Sequence, residues 1–477
     1  MDTERPGALV LGGGLAGLSA AWALARAGRS AWVLERDAGV GGLARTAVRG
    51  AFRFDLGGHR FHTPDGAIEA LVRRLLGPEL LTVPRRSQIL LGARYVDYPL
   101  RPLNALAGVG ARATCAMLAD YVLERLRARL SAPPMVSLED WVVSRFGRAT
   151  FDLYFKGYTE KIWGLDAQRI SMEWVAQRIQ GLSLGVALKR ALLGSRAPHV
   201  ATLAEEFLYP PPGIGRIAER LGEEIEPAGR VLTATAVEAV EHDGSRVRGV
   251  TARAAGQDHA FEAAELVSTI PLTALVRMLR PRPPAEVLEA AARLRYRDLV
   301  IVAVMVDRPR VTDQTWIYVP DRRVPFSRIH EPTNWSAQMA PPGQTLLVTE
   351  HFCFRGDDAW RAPDERLAEV TIAHLARLGL LGRREVLDSA VVRVPRAYPL
   401  FEVGYEGQRR LIRAYLGRFR NLHLAGRAGA FAYMNMDQAI ASGLGAAADI
   451  LSREAPGNGA AGAEPILAGL TPSEARG

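Results

Sequence analysis

Glycines spaced Gly12-x-Gly14-x-x-Gly17 stand between an apolar run, Ala8–Leu11, and a helical pattern, Leu18–Ala27; a second apolar run, Ala31–Leu34, ends at Glu35. In such a turn the first glycine allows a sharp change of direction. The second lets the backbone approach a pyrophosphate, and the third lets helix and strand pack closely, with phosphates on the helix N-terminus. Glu35 is placed to accept the ribose hydroxyls of an adenosine. The strand–glycine–helix–strand–acid context makes this a dinucleotide site, with Gly12, Gly14, Leu15, Ala16, Gly17, Glu35 and Arg36 as candidate contacts.

Two further glycine pairs lie close behind, in Val40-Gly41-Gly42-Leu43-Ala44-Arg45 and in Asp55-Leu56-Gly57-Gly58-His59-Arg60-Phe61-His62-Thr63. Backbone brought repeatedly against one extended ligand favours FAD over NAD. Gly41, Gly42, Leu43, Arg45, Gly57, Gly58 and His59 join the candidate cofactor contacts, and Arg427 would place a guanidinium near the pyrophosphate. No Gly-x-Ser-x-Gly, His-Glu-x-x-His or metal-spaced Cys/His set occurs. His59 and His62 lack a third partner, so no metal site is expected.

The elements that must carry these residues follow from patterning. Ordinary hydrophobic (48%) and charged (23%) fractions over 477 residues describe a folded chain of two or three parts. Residues 103–200 read as a helical insertion, with helical patterns at Leu103–Arg129, Ser137–Phe146 and Met172–Leu193. Val231–Glu241, a turn at Asp243-Gly244, and Val247–Ala252 read as a hairpin, and Glu265–Thr269, Leu299–Val306, Trp316–Val319, Thr345–Glu350 and Asn421–Ala425 as strands. Helices are expected at Asp364–Leu378 and Asp437–Leu451. The expected fold is α/β: a Rossmann-like FAD domain from residues 1–85, 203–270 and 420–454, the helical insertion, a mainly antiparallel substrate sheet from 86–102 and 271–419, and a flexible tail at 455–477.

The formal charge of +9 is almost all arginine, since lysine occurs only at 156, 161 and 189. Arginine matches phosphate bidentately, which suits nucleotide ligands, although surface cations would account for most of the total. No basic block interleaved with aromatics and no DNA-binding spacing is present, so nucleic acid is not an expected partner. No apolar stretch approaches the ~20 residues of a membrane span. The basic segment Leu188–Arg196 reads at least as well as a solvated helix end, and no membrane partner is expected. The start, Met-Asp-Thr-Glu-Arg-Pro, is unlike a secretory signal, and Cys115 and Cys353 cannot form a disulfide framework. A reducing cytoplasm is the expected setting.

Several segments resemble the UDP-galactopyranose mutase family, in order and spacing, from residue 7 to residue 450. They are Gly58-His59-Arg60-Phe61-His62-Thr63, Lys156-Gly157-Tyr158-Thr159-Glu160-Lys161-Ile162-Trp163-Gly164, Leu294-Arg295-Tyr296-Arg297-Asp298-Leu299, Val324-Pro325-Phe326-Ser327-Arg328-Ile329-His330-Glu331, Ala397-Tyr398-Pro399, and Gly426-Arg427 through Tyr433-Met434-Asn435-Met436-Asp437-Gln438. The resemblance implies that reduced FAD acts through N5 on the anomeric carbon of a nucleotide sugar, a UDP-sugar first of all, while the diphosphate leaves and returns. NAD(P)H is then a candidate external reductant.

By motif position, the resemblance makes Arg297 and Arg328 the diphosphate clamps, with Arg178 as a third, and Tyr398 and Tyr433 their hydrogen-bonding partners. It brings His62 toward the flavin and puts Trp163 along the substrate channel, with Asn435 also at the substrate. Val237, Gly426, Met436, Asp437 and Gln438 are implied cofactor contacts. The helical insertion is a candidate homodimer surface. Phe431, Asn435 and Ala397 depart from the family, which has tyrosine, aspartate and tyrosine there, and would change hydrogen bonding near sugar and diphosphate. The Leu81–Asn104 stretch looks more like protoporphyrinogen-oxidase-like and amine-oxidase-like flavoproteins. Hydride removal from a small substrate is therefore the competing expectation, and a flavin-stabilised binding protein a third.

Overall fold

The computed structural model describes residues 6–92, 94–98, 111–130, 134–173, 205–226 and 228–454. Its first layer is a five-stranded parallel sheet in the order Leu422–Leu424, Glu265–Ser268, Ala8–Leu11, Ala31–Leu34, Arg230–Leu232. Every residue of Ala8–Leu11 and Ala31–Leu34 is buried, as a parallel sheet covered on both faces requires. Helices Leu15–Arg26 and Met436–Glu454 lie against each other so closely that a Cβ on Gly443 would overlap the Ala16 carbonyl oxygen.

The expected strand Val231–Glu241 is two strands. Ala234 takes a positive φ of 50° and turns the chain between them. Arg230–Leu232 stays on the parallel sheet, whereas Thr235–His242 starts a separate sheet with Val247–Ala254 and Gln257–Glu262. Propensity alone does not show such a kink, because both halves are apolar and β-branched.

The second layer is a seven-stranded sheet, ordered Val386–Pro399, Tyr296–Val306, Thr345–Cys353, Arg328–His330, Trp316–Tyr318, Ser87–Leu91, Arg94–Tyr98. All eleven residues of Tyr296–Val306 are buried. Leu299, Ile301, Ala303 and Met305 join the core shared with the parallel sheet. Val300, Val302 and Val304 point the other way, toward Leu367 and Leu375 of helix Asp364–Arg377. The edge strand Val386–Pro399 has no clear sequence signal, since Pro395 interrupts it. Proline is tolerated there because the strand is an edge. Its register slips between Arg297↔Tyr398 and Leu299↔Val394, and inside this bulge Arg396 sits at φ 55° with its N–H donated to Asp298 Oδ1 at 2.7 Å. The bulge places Tyr398 opposite Arg297.

Of the helical insertion, Ala111–Leu130, Leu138–Phe146 and Gly157–Trp163 are described, and Ser137 caps the second through a capping box with Asp140. Arg178, the segment Leu188–Arg196, nearly all of the helix expected at Met172–Leu193, and the tail 455–477 lie outside the described residues. Among the described residues no helix is long and apolar enough to cross a membrane.

The contact between the two long helices yields a paired test. Gly443→Val forces them apart and is expected to cost about 2 kcal/mol or more, in the range of overpacked cores. The exposed Gly445, with open space at its Cβ position, is expected to tolerate alanine with a gain of about 0.5–1 kcal/mol from helix propensity. Equal effects of the two substitutions in thermal or denaturant melts would contradict the close packing.

Candidate cofactor and substrate site

The glycine turn forms a cradle. Gly12 has φ +101°, and a Cβ on Gly17 would overlap the Gly12 carbonyl oxygen, so both positions demand glycine. Nothing lies within 4 Å of where a Gly14 side chain would be. The helix that begins at Leu15 and Ala16 has neither a side-chain cap nor an acidic residue in its first turn. Its first N–H groups are left for an anion. Glu35 is buried; Oε2 accepts the Gly13 N–H at 2.7 Å and Oε1 the Asp37 N–H at 2.8 Å. A carboxylate has about four acceptor sites, so ribose hydroxyls still have acceptors.

The second glycine turn lies directly on the first. Gly41 N–H donates to Gly13 O at 2.8 Å, and Gly14 and Gly41 form a β-bridge. Leu43 packs into the core, Arg45 pairs with Asp37 at 3.2 Å, and the exposed Arg36 reaches the same carboxylate at 3.6 Å. Val237 is half-buried on the strand whose first residue, Thr235, donates to Glu35 O at 2.8 Å. Gly426 abuts Ala16, and Asp437 keeps a buried Oδ1 without a donor. Open backbone, an uncapped helix start and an unpaired buried acceptor together fit an extended dinucleotide.

The third glycine pair joins this cradle to the substrate sheet. Asp55, which accepts from Thr46 Oγ1 and Tyr209 Oη, both at 2.6 Å, and from Ile214 N, fixes the loop. Burial pushes its carboxyl up to about 6. Gly57 turns at φ +120°, and Gly58 lies flat on Trp316, where a Cβ would fall inside the indole. The Gly58 N–H donates to Glu350 Oε1 at 3.0 Å, and Glu350 Oε2 accepts Arg328 Nη1 at 2.9 Å. Arg328 Nε donates to Tyr158 Oη at 2.9 Å, and the guanidinium faces Trp316 and Phe352 at 5.5 and 5.0 Å. The carboxylate is 1% exposed and the guanidinium 15%. Burial pushes the Tyr158 hydroxyl upward, and Tyr158 and Glu350 hold Arg328 charged.

His59, at 3.1 Å from Gly57 O through Nδ1, is lowered to about 4 by burial and by the nearby Arg427 and Arg328. It is neutral at pH 7. His62, expected near the cofactor, is exposed instead; Phe61 between the two histidines takes the buried position.

Arg427, Tyr398 and Tyr433 form a second group. Both Nε and Nη2 of Arg427 donate to Met434 O, and its plane faces Tyr398 and Tyr433 at 5.1 and 5.4 Å. Tyr398 also meets Phe352, which joins this group to Arg328. Asn435 and Gln438 are exposed at the start of the last helix, where the Asn435 N–H donates to Gln438 Oε1, and Met436 packs on the core.

Two further expected roles change in the structure. Arg297 is only 5% exposed, and its Nε and Nη2 donate to Ile162 O and Phe352 O at 2.8 and 2.9 Å. It staples the C-terminal end of helix Gly157–Trp163 to strand Thr345–Cys353 and so has little left for a diphosphate. Gly164 follows that helix because any side chain there would meet this guanidinium at 2.6 Å. Trp163, 5% exposed, is a wall residue edge-on to Tyr398 and Phe401 and has no open face for a nucleobase. The departures read differently too. Phe431 sits at φ 48° in a dry cluster with Tyr296, Phe401 and Tyr405, and Ala397 is buried, so the missing hydroxyls are not lost from the pocket.

Sequence reasoning missed Glu350, Tyr158 as the partner of Arg328, Trp316, and His330, whose ring lies parallel to those of Trp316 and Trp335 with neither ring nitrogen bonded. The one available signal was a lone carboxylate ending the apolar run Thr345–Glu350.

Residues 15–451 match the flavin containing amine oxidoreductase family, and the chain belongs to it. The enzyme is therefore a flavoprotein. Its fold is similar to that of reduced UDP-galactopyranose mutase (TM-score 0.80, 21% identity, 94% of each chain covered). It is also similar to a candidate protoporphyrinogen oxidase from Exiguobacterium sp. 255-15 (TM-score 0.71, 19% identity, 95% of this chain and 99% of that one). Putrescine oxidase bound to putrescine shares the fold at a TM-score of 0.64 and 18% identity, over 94% and 100% of the two chains.

His330 supplies a pH test. Burial and the neighbouring His59, Arg60 and Arg328 lower it to about 3, so its contribution to stability is present above pH 6.5 and lost as pH falls toward 3. His330→Phe keeps the stack and removes the titration. It should match the parent at pH 8 and exceed it by about 2 kcal/mol at pH 5, where an unfolded histidine is charged. A parent–variant gap in denaturant melts that is the same at both pH values would contradict this.

Proposed function

We propose that this flavoenzyme uses reduced FAD to rearrange a nucleotide sugar, a UDP-sugar first of all, without net oxidation. When bound, the reduced flavin supplies a nucleophilic N5 for the anomeric carbon. The tasks left to the chain are to hold that carbon in place and to stabilise the leaving diphosphate. The observation that carries the reading is Arg328, buried beside the cofactor loop, oriented by Glu350 and Tyr158, and linked through Phe352 to Tyr398, Arg427 and Tyr433. Oriented guanidinium and phenol donors in an apolar wall suit a diphosphate whose charge grows as it leaves. NAD(P)H as the reductant, a cytoplasmic setting and a homodimer through the helical insertion belong to the same proposal.

Hydride removal from an amine is the second reading, favoured by the family match. The pocket charge weighs against it. Arg328 and Arg427 flank the neutral His59, and they would repel a substrate ammonium.

Arg328→Lys keeps the charge and loses the fork. It is expected to weaken UDP-sugar binding to the reduced holoenzyme by about 10–100-fold with flavin content unchanged, and Tyr398→Phe and Tyr433→Phe by about 10-fold each. Unchanged affinity in all three, measured by fluorescence titration, would sink the reading. Arg297→Ala should instead act on stability, by about 2–3 kcal/mol, because it frees two backbone carbonyls.

A further inference from the structure

Three arginines cluster beside this site. Arg60 follows His59 on the cofactor loop, Arg85 precedes strand Ser87–Leu91, and Arg328 completes the trio. Arg60 lies over Trp316 at 5.0 Å, the ring that Arg328 also faces at 5.5 Å. Arg85 lies over Tyr98 at 5.1 Å. Tyr98 meets Tyr318 at 5.1 Å, and Tyr318 meets Tyr158, which accepts from Arg328, at 5.6 Å. The three cations thus share one aromatic box built from four separate chain segments.

Their charges do not balance. Glu350 pairs with Arg328, and among the described residues neither Arg60 nor Arg85 has a carboxylate within ion-pair distance. Arg60 Nη1, Arg85 Nε and Trp316 Nε1 are buried donors without an acceptor. The adjacent His59 and His330 are neutral at pH 7, so they add neither charge nor relief. Lysine or histidine in this position would shed the proton. Arginine cannot, and burial and the charges of Arg85 and Arg328 oppose Arg60, with the Tyr318 hydroxyl offsetting only part of that cost. Arg60 and Arg85 are half-buried, and an excess of about two positive charges with buried, unbonded donors is costly unless a partner arrives.

We propose that Arg60 and Arg85, with Arg328, form a binding socket for a dianionic phosphate or diphosphate group of the substrate. This rests on the anionic-substrate reading above but not on its redox-neutral chemistry. The three donors without an acceptor would bond the phosphate oxygens, and the tyrosines would close the rim. Arg60 adjoins His59, so one loop would hold both the cofactor and the substrate's anionic end. Arg60 and Arg85, rather than Arg297, would then supply the second and third clamps.

The test uses flavin-loaded full-length protein and inorganic pyrophosphate as the probe, with UDP in parallel. The parent should bind pyrophosphate and melt at a higher temperature with it. Arg60→Met and Arg85→Met should each weaken binding by about 10–100-fold, with flavin content unchanged. Without ligand, both variants should melt at or above the parent temperature, because a half-buried cation with an unbonded buried donor has been removed. A parent that shows no shift in millimolar pyrophosphate overturns the proposal. So do variants that melt lower yet bind as the parent does, since that describes a structural role. If pyrophosphate binding depends on both arginines but no sugar nucleotide is isomerised, the socket stands and the mutase reading fails. Isomerisation with a KM unmoved in both variants rejects the socket alone.

Discussion

The Glu350 carboxylate, buried between the Gly58 N–H and Arg328, is the interaction on which the site depends. One oxygen holds the cofactor loop and the other orients the substrate-side guanidinium, so a single side chain ties the cofactor loop to the substrate sheet. Removing one partner of such a pair would cost about 3–5 kcal/mol by leaving the other charge buried alone. The surrounding packing enforces the contact. Gly58 can be only glycine against Trp316, and Trp316 in turn anchors the stack with His330 and Trp335.

Around this junction the fold separates structural cations from those facing the pocket. Lys161 donates to the carbonyls of Val319, Asp321 and Phe326 at 2.6–2.8 Å and fixes helix Gly157–Trp163 to the substrate sheet. Burial pushes it down to about 7, against the opposing pull of the nearby Asp321 carboxylate. Arg297 performs the same task at the end of that helix. With these two spent on backbone, Arg328 is left braced by a carboxylate and a phenol. A preorganised donor of this kind suits an anion whose charge grows during reaction.

Much of the cofactor half was legible from residues alone, because a glycine turn between strand and helix has few physical solutions: Gly12 turns and Gly17 packs as their spacing implies, and Glu35 ends buried beside that turn. The buried strand within Tyr296–Val306 was equally plain from an unbroken apolar run. The substrate half was legible only as residue types. Nothing in the sequence shows that Arg297 would be consumed by the carbonyls of Ile162 and Phe352, since those acceptors become available only through the tertiary contact. The same holds for His59 and His62: two histidines three apart look equivalent until Phe61 turns inward and leaves His62 in solvent. The edge strand Val386–Pro399 escaped notice because its bulge and proline break the alternation on which strand recognition depends.

The most direct measurement follows the flavin and the sugar together. Purified protein reduced with dithionite under anaerobic conditions is mixed with UDP-sugars, while the flavin spectrum and the products are recorded. The account expects a new isomer to accumulate over many turnovers with the flavin still reduced at the end, and no isomerisation by the oxidised form. Oxidised enzyme whose flavin is bleached by a small substrate, with one product oxidised per flavin reduced, would contradict it and make the protein a dehydrogenase.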